Sequence, residues 1–221
     1  FGIEIINLRW MIEKNMSKIL LASTGKNKKQ DMILYKSLSE HNFKNIDVKI
    51  KDNNTESLQK VYNSFLAYAR DNEYNYLVLV HDDVVINCSD FEHRIVNSAE
   101  KYDVFGLAGT TSCNLNSPCL WHLMGEKTDL RGCVAHGEKD NYFYTSFGPI
   151  PSRAILIDGV LIGINLNKLP MEVKWDESYP SRFHYYDLDF CLECNRNKVK
   201  IGVVDIPIIH QSPGLSNPTE E

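Results

Sequence analysis

The chain has 221 residues, of which 43% are hydrophobic and 24% are charged, and its formal net charge is -5. This length and composition predict one globular domain with a full core, and the acidic balance without a basic block excludes nucleic acid as an expected partner. No apolar stretch approaches the roughly 20 residues that span a bilayer, so we expect no transmembrane segment.

Apolar strands alternate with amphipathic helices along most of the chain. Residues 76–80, YLVLV, are strand formers throughout, whereas Leu58, Val61 and Phe65 recur at helical spacing. The expected strands are 18–22, 45–51, 76–80, 104–108, 154–157, 160–164, 200–204 and 206–210, and the expected helices are 30–40, 58–69, 91–101 and 183–195. This order predicts a single α/β domain with a mostly parallel central sheet covered by helices on both faces.

Three segments do not follow this alternation. Residues 109–151 have no period, because Gly, Pro, Asn, Cys and aromatic residues are interspersed, and we expect an irregular or functional segment there. Residues 1–16 form a lead segment that is either the remainder of a larger chain or a short helix against the domain. The domain then covers 17–214, and residues 215–221 are expected to fray.

Six cysteines are spread through the chain rather than concentrated as in a small secreted scaffold. They are Cys88, Cys113, Cys119, Cys133, Cys191 and Cys194. We expect free thiols in a reducing cytosol. The pair Cys191 and Cys194 has C-x-x-C spacing but lacks a second pair, so we expect both to be reduced and without metal.

The sequence His81-Asp82-Asp83 follows an apolar strand directly. In α/β sheets of this kind, ligands bind at the carboxyl ends of strands. Two adjacent carboxylates repel each other unless a cation or hydrogen-bond donors relieve the repulsion, and their oxygens suit Mg²⁺ or Mn²⁺. By residue type alone, a metal site and a polar turn that caps the next element explain the acid pair equally well.

Two later features carry further candidate residues. Asp187 and Asp189 lie two positions apart on an expected helix, so their side chains point in different directions and one of them can face a site. An acid-rich first turn favoured by the helix dipole is the alternative. His210 ends an apolar strand, a position where a lone His is more often a hydrogen-bonded core residue than a ligand.

Five segments in a fixed order carry a resemblance to a known family. They are SLQKVYNSFL (57–66), YLVLVHDDV (76–84), IDGVLIGIN (157–165), WDESYPSRFHYYDLDFCL (175–192) and IGVVDIPIIHQSPG (201–214). Together they resemble the GT-A glycosyltransferases of the inverting, family-2 kind. The chain is especially similar to the small glycosyltransferase-like group associated with streptomycin biosynthesis, and the resemblance covers residues 18–214.

The resemblance implies a metal site. His81-Asp82-Asp83 fills the place of the family's D-x-D motif, whose last Asp binds the ion on the donor diphosphate. Asp83 is therefore the implied metal ligand, and Asp82 lies near the ribose or the metal. His210 fills the place of a late metal-binding His. The implied ion is Mn²⁺ or Mg²⁺.

The resemblance also implies a base and a nucleotide site. Asp187 takes the place of the family's catalytic base, although the Glu that precedes that base is Tyr186 here. The turn at Asp158 matches the one before the acceptor side. Ser23 and the pair Asp52 and Asn53, at the ends of the first two strands, are implied to face the nucleotide base and ribose.

The resemblance as a whole implies a metal-dependent inverting enzyme, cytoplasmic or membrane-associated, that transfers a sugar from a nucleotide-diphosphate sugar to a saccharide or other hydroxyl acceptor. Aromatic residues of 109–151 would form either an acceptor wall or part of the core: Trp121, His122, Tyr142, Phe143 and Tyr144. One alternative is a degenerate GT-A domain that binds carbohydrate or acts as a scaffold, which the absent Glu favours. Another is a nucleotidyltransferase, against which the single glycine of the loop STGKNKK (23–29) argues.

Overall fold

The computed structural model describes residues 17–113 and 121–212. The expected lead segment 1–16 and frayed tail 215–221 lie outside the described residues, as does Cys119. The strands in chain order are β1 (Ile19–Thr24), β2 (Ile46–Lys51), β3 (Tyr76–Val80), β4 (Val84–Ile86), β5 (Val104–Gly106), β6 (Ala108–Thr110), β7 (Leu130–Glu138), β8 (Asn141–Gly148), β9 (Ser152–Arg153), β10 (Leu156–Ile157), β11 (Leu161–Asn165), β12 (Ile201–Val203) and β13 (Ile208–His210). The α-helices are α1 (Ile33–Ser39), α2 (Leu58–Asp71), α3 (Phe91–Lys101), α4 (Trp121–Met124) and α5 (Tyr186–Arg196).

The strands form two sheets. The larger sheet has the order β2-β1-β3-β11-β5-β12-β9, and the smaller has the order β10-β6-β7-β13-β4 with β8 added to β7. β1 runs parallel to β2 and β3, and β5 runs parallel to β12, whereas β11 is antiparallel to both of its neighbours. The expected α/β class with a helix-flanked central sheet is confirmed, and within the described residues that sheet is mixed rather than mostly parallel.

The core follows from the apolar patterns of the sequence. β1 and β3 are buried along their whole length, as continuous apolar strands in a covered sheet should be. α2 begins after Ser57, whose hydroxyl accepts a hydrogen bond from the backbone N–H of Lys60 at 3.4 Å, and its apolar face packs on the sheet. The rings of Trp175 and Phe190 stack at 4.0 Å and lie fully buried beside that helix.

The expectation of an irregular segment at 109–151 is wrong for much of its length. Within it, β7 and β8 form a long hairpin, paired from Gly132 and Gly148 to Glu138 and Asn141. β8 is largely exposed, so its sequence has no alternation of apolar and polar residues. A strand without a buried face gives no periodic signal.

Across the two described stretches of chain, no helix is both long enough and apolar enough to cross a membrane.

Candidate active site and metal centre

The segment His81-Asp82-Asp83 joins the two sheets. It follows β3 of the larger sheet and leads directly into β4 of the smaller one. β13 pairs antiparallel with β4, so that His210 lies opposite Val84, and the backbone N–H of Gln211 donates to the carbonyl of Asp83 at 2.9 Å. This pairing brings His210, the last residue of β13, beside the carboxyl end of β3.

Three side chains meet at this junction. The Nε2 atom of His210 lies 3.2 Å from Oδ1 of Asp83, and the Nδ1 atom of His81 lies 3.9 Å from the same oxygen. One ligand atom from each of the three residues lies within 4.8 Å of the other two. Oδ1 of Asp83 is buried and accepts no hydrogen bond of adequate geometry. A buried carboxylate oxygen left unsatisfied between two imidazoles is a suitable environment for a divalent cation.

The ionisation of these groups is consistent with a cation site. Burial lowers the pKa of His81, which favours the neutral imidazole that can bind a metal. Burial would raise the pKa of Asp83, but its contact with the ring of His210 outweighs burial, so that this pKa lies below its ordinary value. The neighbouring Asp82 has a raised pKa because of burial and the charge of Asp83.

Asp82 points away from this cluster. A Cβ atom added at Gly25 would lie 2.0 Å from its Oδ2, which shows that its carboxylate rests against the loop after β1. Its backbone carbonyl accepts a hydrogen bond from the N–H of Leu34 at 3.0 Å, at the start of α1. The two adjacent carboxylates therefore face different partners.

The loops after β1 and β2 lie together at the carboxyl ends of two parallel strands. Oδ2 of Asp52 accepts a hydrogen bond from the backbone N–H of Lys29 at 3.0 Å. Asn53 is exposed, has a positive φ of 49°, and donates its N–H to the carbonyl of Asn27 at 3.1 Å. Ser23 is fully buried and its hydroxyl has no hydrogen-bond partner, and that it faces the nucleotide stays a prediction.

Asp187 lies in the first turn of α5 and is held by two backbone donors. Its Oδ2 accepts from the N–H of Gly159 at 3.1 Å, and its Oδ1 accepts from the N–H of Leu188 at 2.9 Å. Burial and the charge of Asp158 raise the pKa of Asp187 to about 7, although both hydrogen bonds act in the opposite direction. A carboxylate with a pKa near neutrality suits the role of a general base.

Asp189 faces a different part of the structure, as expected from the helical spacing. Its Oδ2 accepts a hydrogen bond from the backbone N–H of Asp176 at 2.9 Å. It therefore fixes the segment that precedes α5, and it does not share the backbone donors that hold Asp187.

Tyr186 connects the helix of Asp187 with the group of His81, Asp83 and His210. Its Oη lies 2.6 Å from Nε2 of His81, and its side chain is only 5% exposed. In the sequence, Tyr186 stands out only as the absence of the family's Glu and His81 only as part of the D-x-D position, so the contact between them was not predicted. An imidazole directly after a buried strand was the signal that could have indicated a third ligand.

The aromatic residues of 109–151 divide between the core and the surface. Trp121 is buried and packs against Phe147, with ring centroids 5.6 Å apart. Tyr142, Phe143 and Tyr144 lie exposed on β8. Cross-strand pairs place His210 beside His136, and His136 opposite Phe143, so that the exposed ring of Phe143 lies on the same side of the smaller sheet as His210.

The two cysteines of the C-x-x-C sequence lie in the core on α5. Both are buried free thiols, and burial raises the pKa of each. The Sγ of Cys191 accepts a hydrogen bond from the backbone N–H of Ile157 at 3.4 Å. That Cys191 and Cys194 bind no metal stays a prediction.

Comparison with known families identifies the class. Residues 38–217 match the family described as "Glycosyltransferase like family", so the chain belongs to the glycosyltransferase-like proteins. No curated protein matches the chain.

Several solved structures resemble the chain at low sequence identity and with TM-scores below 0.5. The crystal structure of A197 from STIV is 14% identical with a TM-score of 0.48, over 90% of this chain and 97% of that one. The mannosyltransferase PcManGT from Pyrobaculum calidifontis, in complex with GDP-Man and Mn²⁺, is 8% identical with a TM-score of 0.46, over 89% of this chain and 57% of that one. A CMP:2-keto-3-deoxy-manno-octonic acid synthetase complexed with CTP is 11% identical with a TM-score of 0.44, over 91% of this chain and 94% of that one.

Proposed function

We propose that the chain is a metal-dependent inverting glycosyltransferase that transfers a sugar from a nucleotide-diphosphate sugar to a saccharide or other hydroxyl acceptor. Membership of the glycosyltransferase-like family supports the class of reaction. The observation that carries the proposal is the group of His81, Asp83 and His210, whose ligand atoms lie within 4.8 Å of one another at the carboxyl end of β3. Ligands bind at such strand ends in α/β folds.

These three side chains would hold the divalent ion. When bound, that ion would stabilise the negative charge that develops on the leaving diphosphate. Mg²⁺ prefers oxygen ligands in a nearly ideal octahedron, whereas a donor set of two imidazole nitrogens and one carboxylate suits a transition-metal ion better than it suits Mg²⁺. We therefore propose Mn²⁺ ahead of Mg²⁺.

Asp187 is the proposed general base. Its carboxylate would accept the proton of the acceptor hydroxyl as that oxygen attacks the anomeric carbon, and a single in-line displacement of this kind inverts the anomeric configuration. Hydrogen bonds from Gly159 and Leu188 hold both carboxylate oxygens in a fixed orientation. The pKa of about 7 makes the carboxylate basic enough to accept a proton near neutral pH.

The two sides of the site suggest where the substrates bind. Asp82 and the loop of Asp52 and Asn53 lie on the β1 and β2 side, and we propose that the nucleotide binds there. We propose that the acceptor approaches the face of β8, where Phe143 is 65% exposed and offers an apolar ring to a sugar. The cytoplasmic or membrane-associated location, the domain limits 17–214 and the closer likeness to the streptomycin-associated group stay predictions.

The test is to incubate the protein with Mn²⁺ and a panel of uridine, guanosine and thymidine diphosphate sugars, and to measure release of the nucleoside diphosphate. We expect release with one class of donor, loss of release with EDTA, and loss in Asp83→Asn. The control Asp205→Asn changes an exposed carboxylate that pairs with Arg94, outside the cluster, and should match wild type.

Two other outcomes would replace the proposal. Carbohydrate binding without release of any diphosphate from the panel would indicate a binding module or scaffold. Release of pyrophosphate from a nucleoside triphosphate and a sugar phosphate would indicate a nucleotidyltransferase instead.

A further inference from the structure

Tyr186 makes the polar contact that orients the ring of His81. Its Oη lies 2.6 Å from Nε2 of His81, within hydrogen-bond distance. The other ring nitrogen of His81, Nδ1, faces Asp83 at 3.9 Å, which exceeds hydrogen-bond distance. The imidazole is thus engaged on one side by a phenol and directed on the other side toward the carboxylate of the cluster.

The phenol is held firmly by its surroundings. A Cβ atom at Gly159 would lie 2.1 Å from Oη of Tyr186 and 2.5 Å from Cζ, so only a glycine leaves space for the ring there. The ring of Tyr62 packs edge-on against it, with centroids 5.3 Å apart and an interplanar angle of 88°. Contact on both sides leaves the ring of Tyr186 little freedom to move away from His81.

We propose that Tyr186 is a positioning residue that keeps Nδ1 of His81 available to the metal ion, an inference that rests on the proposed function. A neutral imidazole has one nitrogen that donates and one that accepts. When Nε2–H donates to the phenol oxygen, the lone pair is on Nδ1, on the side of Asp83. Histidines that bind metals generally donate their second nitrogen to a nearby oxygen in this way.

This role gives a physical meaning to the departure from the family pattern at position 186. The backbone of Gly159 donates to the base Asp187, and its lack of a side chain makes room for Tyr186. The turn at Gly159 therefore positions two consecutive residues of α5. Tyr186 faces His81, and Asp187 faces the proposed acceptor side. Tyr186, which stands where the family has a Glu, therefore makes a specific contact of its own, with His81.

The test compares Tyr186→Phe with the control Tyr74→Phe. Both substitutions remove a hydroxyl from a buried tyrosine while keeping the ring. Tyr74 is a suitable control because its hydroxyl donates to Asp47 at 2.8 Å and not to a residue of the proposed metal site. Mn²⁺ alone is titrated into each protein, and free Mn²⁺ is followed by electron paramagnetic resonance. We expect binding to weaken by about 10–100-fold in Tyr186→Phe, the usual effect of removing an outer partner of a ligating histidine, and to be unchanged in Tyr74→Phe.

A second measurement reads the tautomer of His81 without metal. Long-range ¹H–¹⁵N correlation spectra distinguish the Nε2–H and Nδ1–H forms, and His81→Ala identifies the signals. We expect the Nε2–H form in the wild-type protein. Finding the Nδ1–H form there would overturn the proposal whether or not the Phe variant folds.

The remaining outcomes separate the inference from the proposed function. If wild type binds Mn²⁺ and Asp83→Asn abolishes binding, but Tyr186→Phe binds as wild type does, the role of Tyr186 is wrong and the metal site stands. Equal weakening in Tyr186→Phe and Tyr74→Phe would show a general structural effect and would also overturn it. If wild type does not bind Mn²⁺, both the metal site and the inference fail.

Discussion

Asp187→Asn should change the pH dependence of both stability and activity. In the folded protein, burial and Asp158 raise the pKa of Asp187 to about 7, from an ordinary value of 3.8. Between these two pH values the folded protein keeps a proton that the unfolded chain has lost. The contribution of this proton to stability is complete below about pH 4 and is lost as the pH rises through about 7.

The size of the effect follows from that difference in pKa. The free energy of unfolding changes by about 1.36 kcal/mol for each pH unit over which one proton is retained. A difference of about three units therefore corresponds to a loss of about 4 kcal/mol between pH 4 and pH 8. Asn does not ionise, so the free energy of unfolding of Asp187→Asn, relative to wild type, should rise by about 4 kcal/mol over that range.

The assay is urea unfolding followed by circular dichroism at several pH values from 4 to 8, in EDTA so that no ion binds. Asp176→Asn serves as the control. Hydrogen bonds from Ser178 lower the pKa of Asp176, so its stabilising contribution is lost only as the pH falls below its ordinary range. The control should follow wild type across the whole interval.

Transfer should show the complementary dependence. If Asp187 is the base, the wild-type rate rises with a midpoint near pH 7, and Asp187→Asn lowers it by about 10²–10⁴-fold while donor binding is kept. A constant difference in stability from pH 4 to 8 would refute the raised pKa. Near-normal turnover in the variant would remove Asp187 from the mechanism.

Three further predictions concern the proposed metal site and the core. Asp83→Asn should reduce Mn²⁺-dependent binding of the donor at least about 10-fold, measured by calorimetry, and a variant that binds the donor with Mn²⁺ as tightly as wild type does would contradict it. Gly159→Ala places a methyl group against the ring of Tyr186, so it should destabilise the protein by about 1–3 kcal/mol in urea unfolding. It should also weaken Mn²⁺ binding, and normal Mn²⁺ affinity would refute the proposed role of Tyr186. Trp175→Ala empties the stack on Phe190 and should cost about 3–5 kcal/mol in the same assay, whereas a cost below 1 kcal/mol would show that the site collapses.

Local patterns predicted the α/β class and most elements of the larger sheet. The buried run 76–80 and the helix carrying Val61 and Phe65 appear close to where their spacing indicates. The direction of the strands was not predicted correctly, because β11 pairs antiparallel with two strands, β3 and β5, that are far from it in the sequence. A pattern of apolar residues records which face is buried and contains no information about which neighbour lies alongside.

The candidate site was predicted only in part, because local patterns do not indicate which distant residues come into contact. Asp83 and His210 were singled out from the family resemblance, and the structure brings them to 3.2 Å. The contact of His81 with Tyr186 joins residues 105 positions apart, and no local signal indicates it. Ser23 was assigned to the nucleotide site from its place at the end of a strand, a position that carries no information on exposure, and the structure buries it fully.

The position of His210 also determines when the site can form during synthesis. Its strand, β13, lies between β4 and β7, both of which are made earlier. His81 and His210 are 129 positions apart, so at about 5–20 residues per second the ribosome needs about 6–26 s to pass from one to the other. Until then the nascent chain can pair β1, β2 and β3, yet it lacks one imidazole of the cluster. If the group binds the proposed ion, its capture is therefore a late event, and a chain that held the ion by all three side chains would already have added β13 to the smaller sheet.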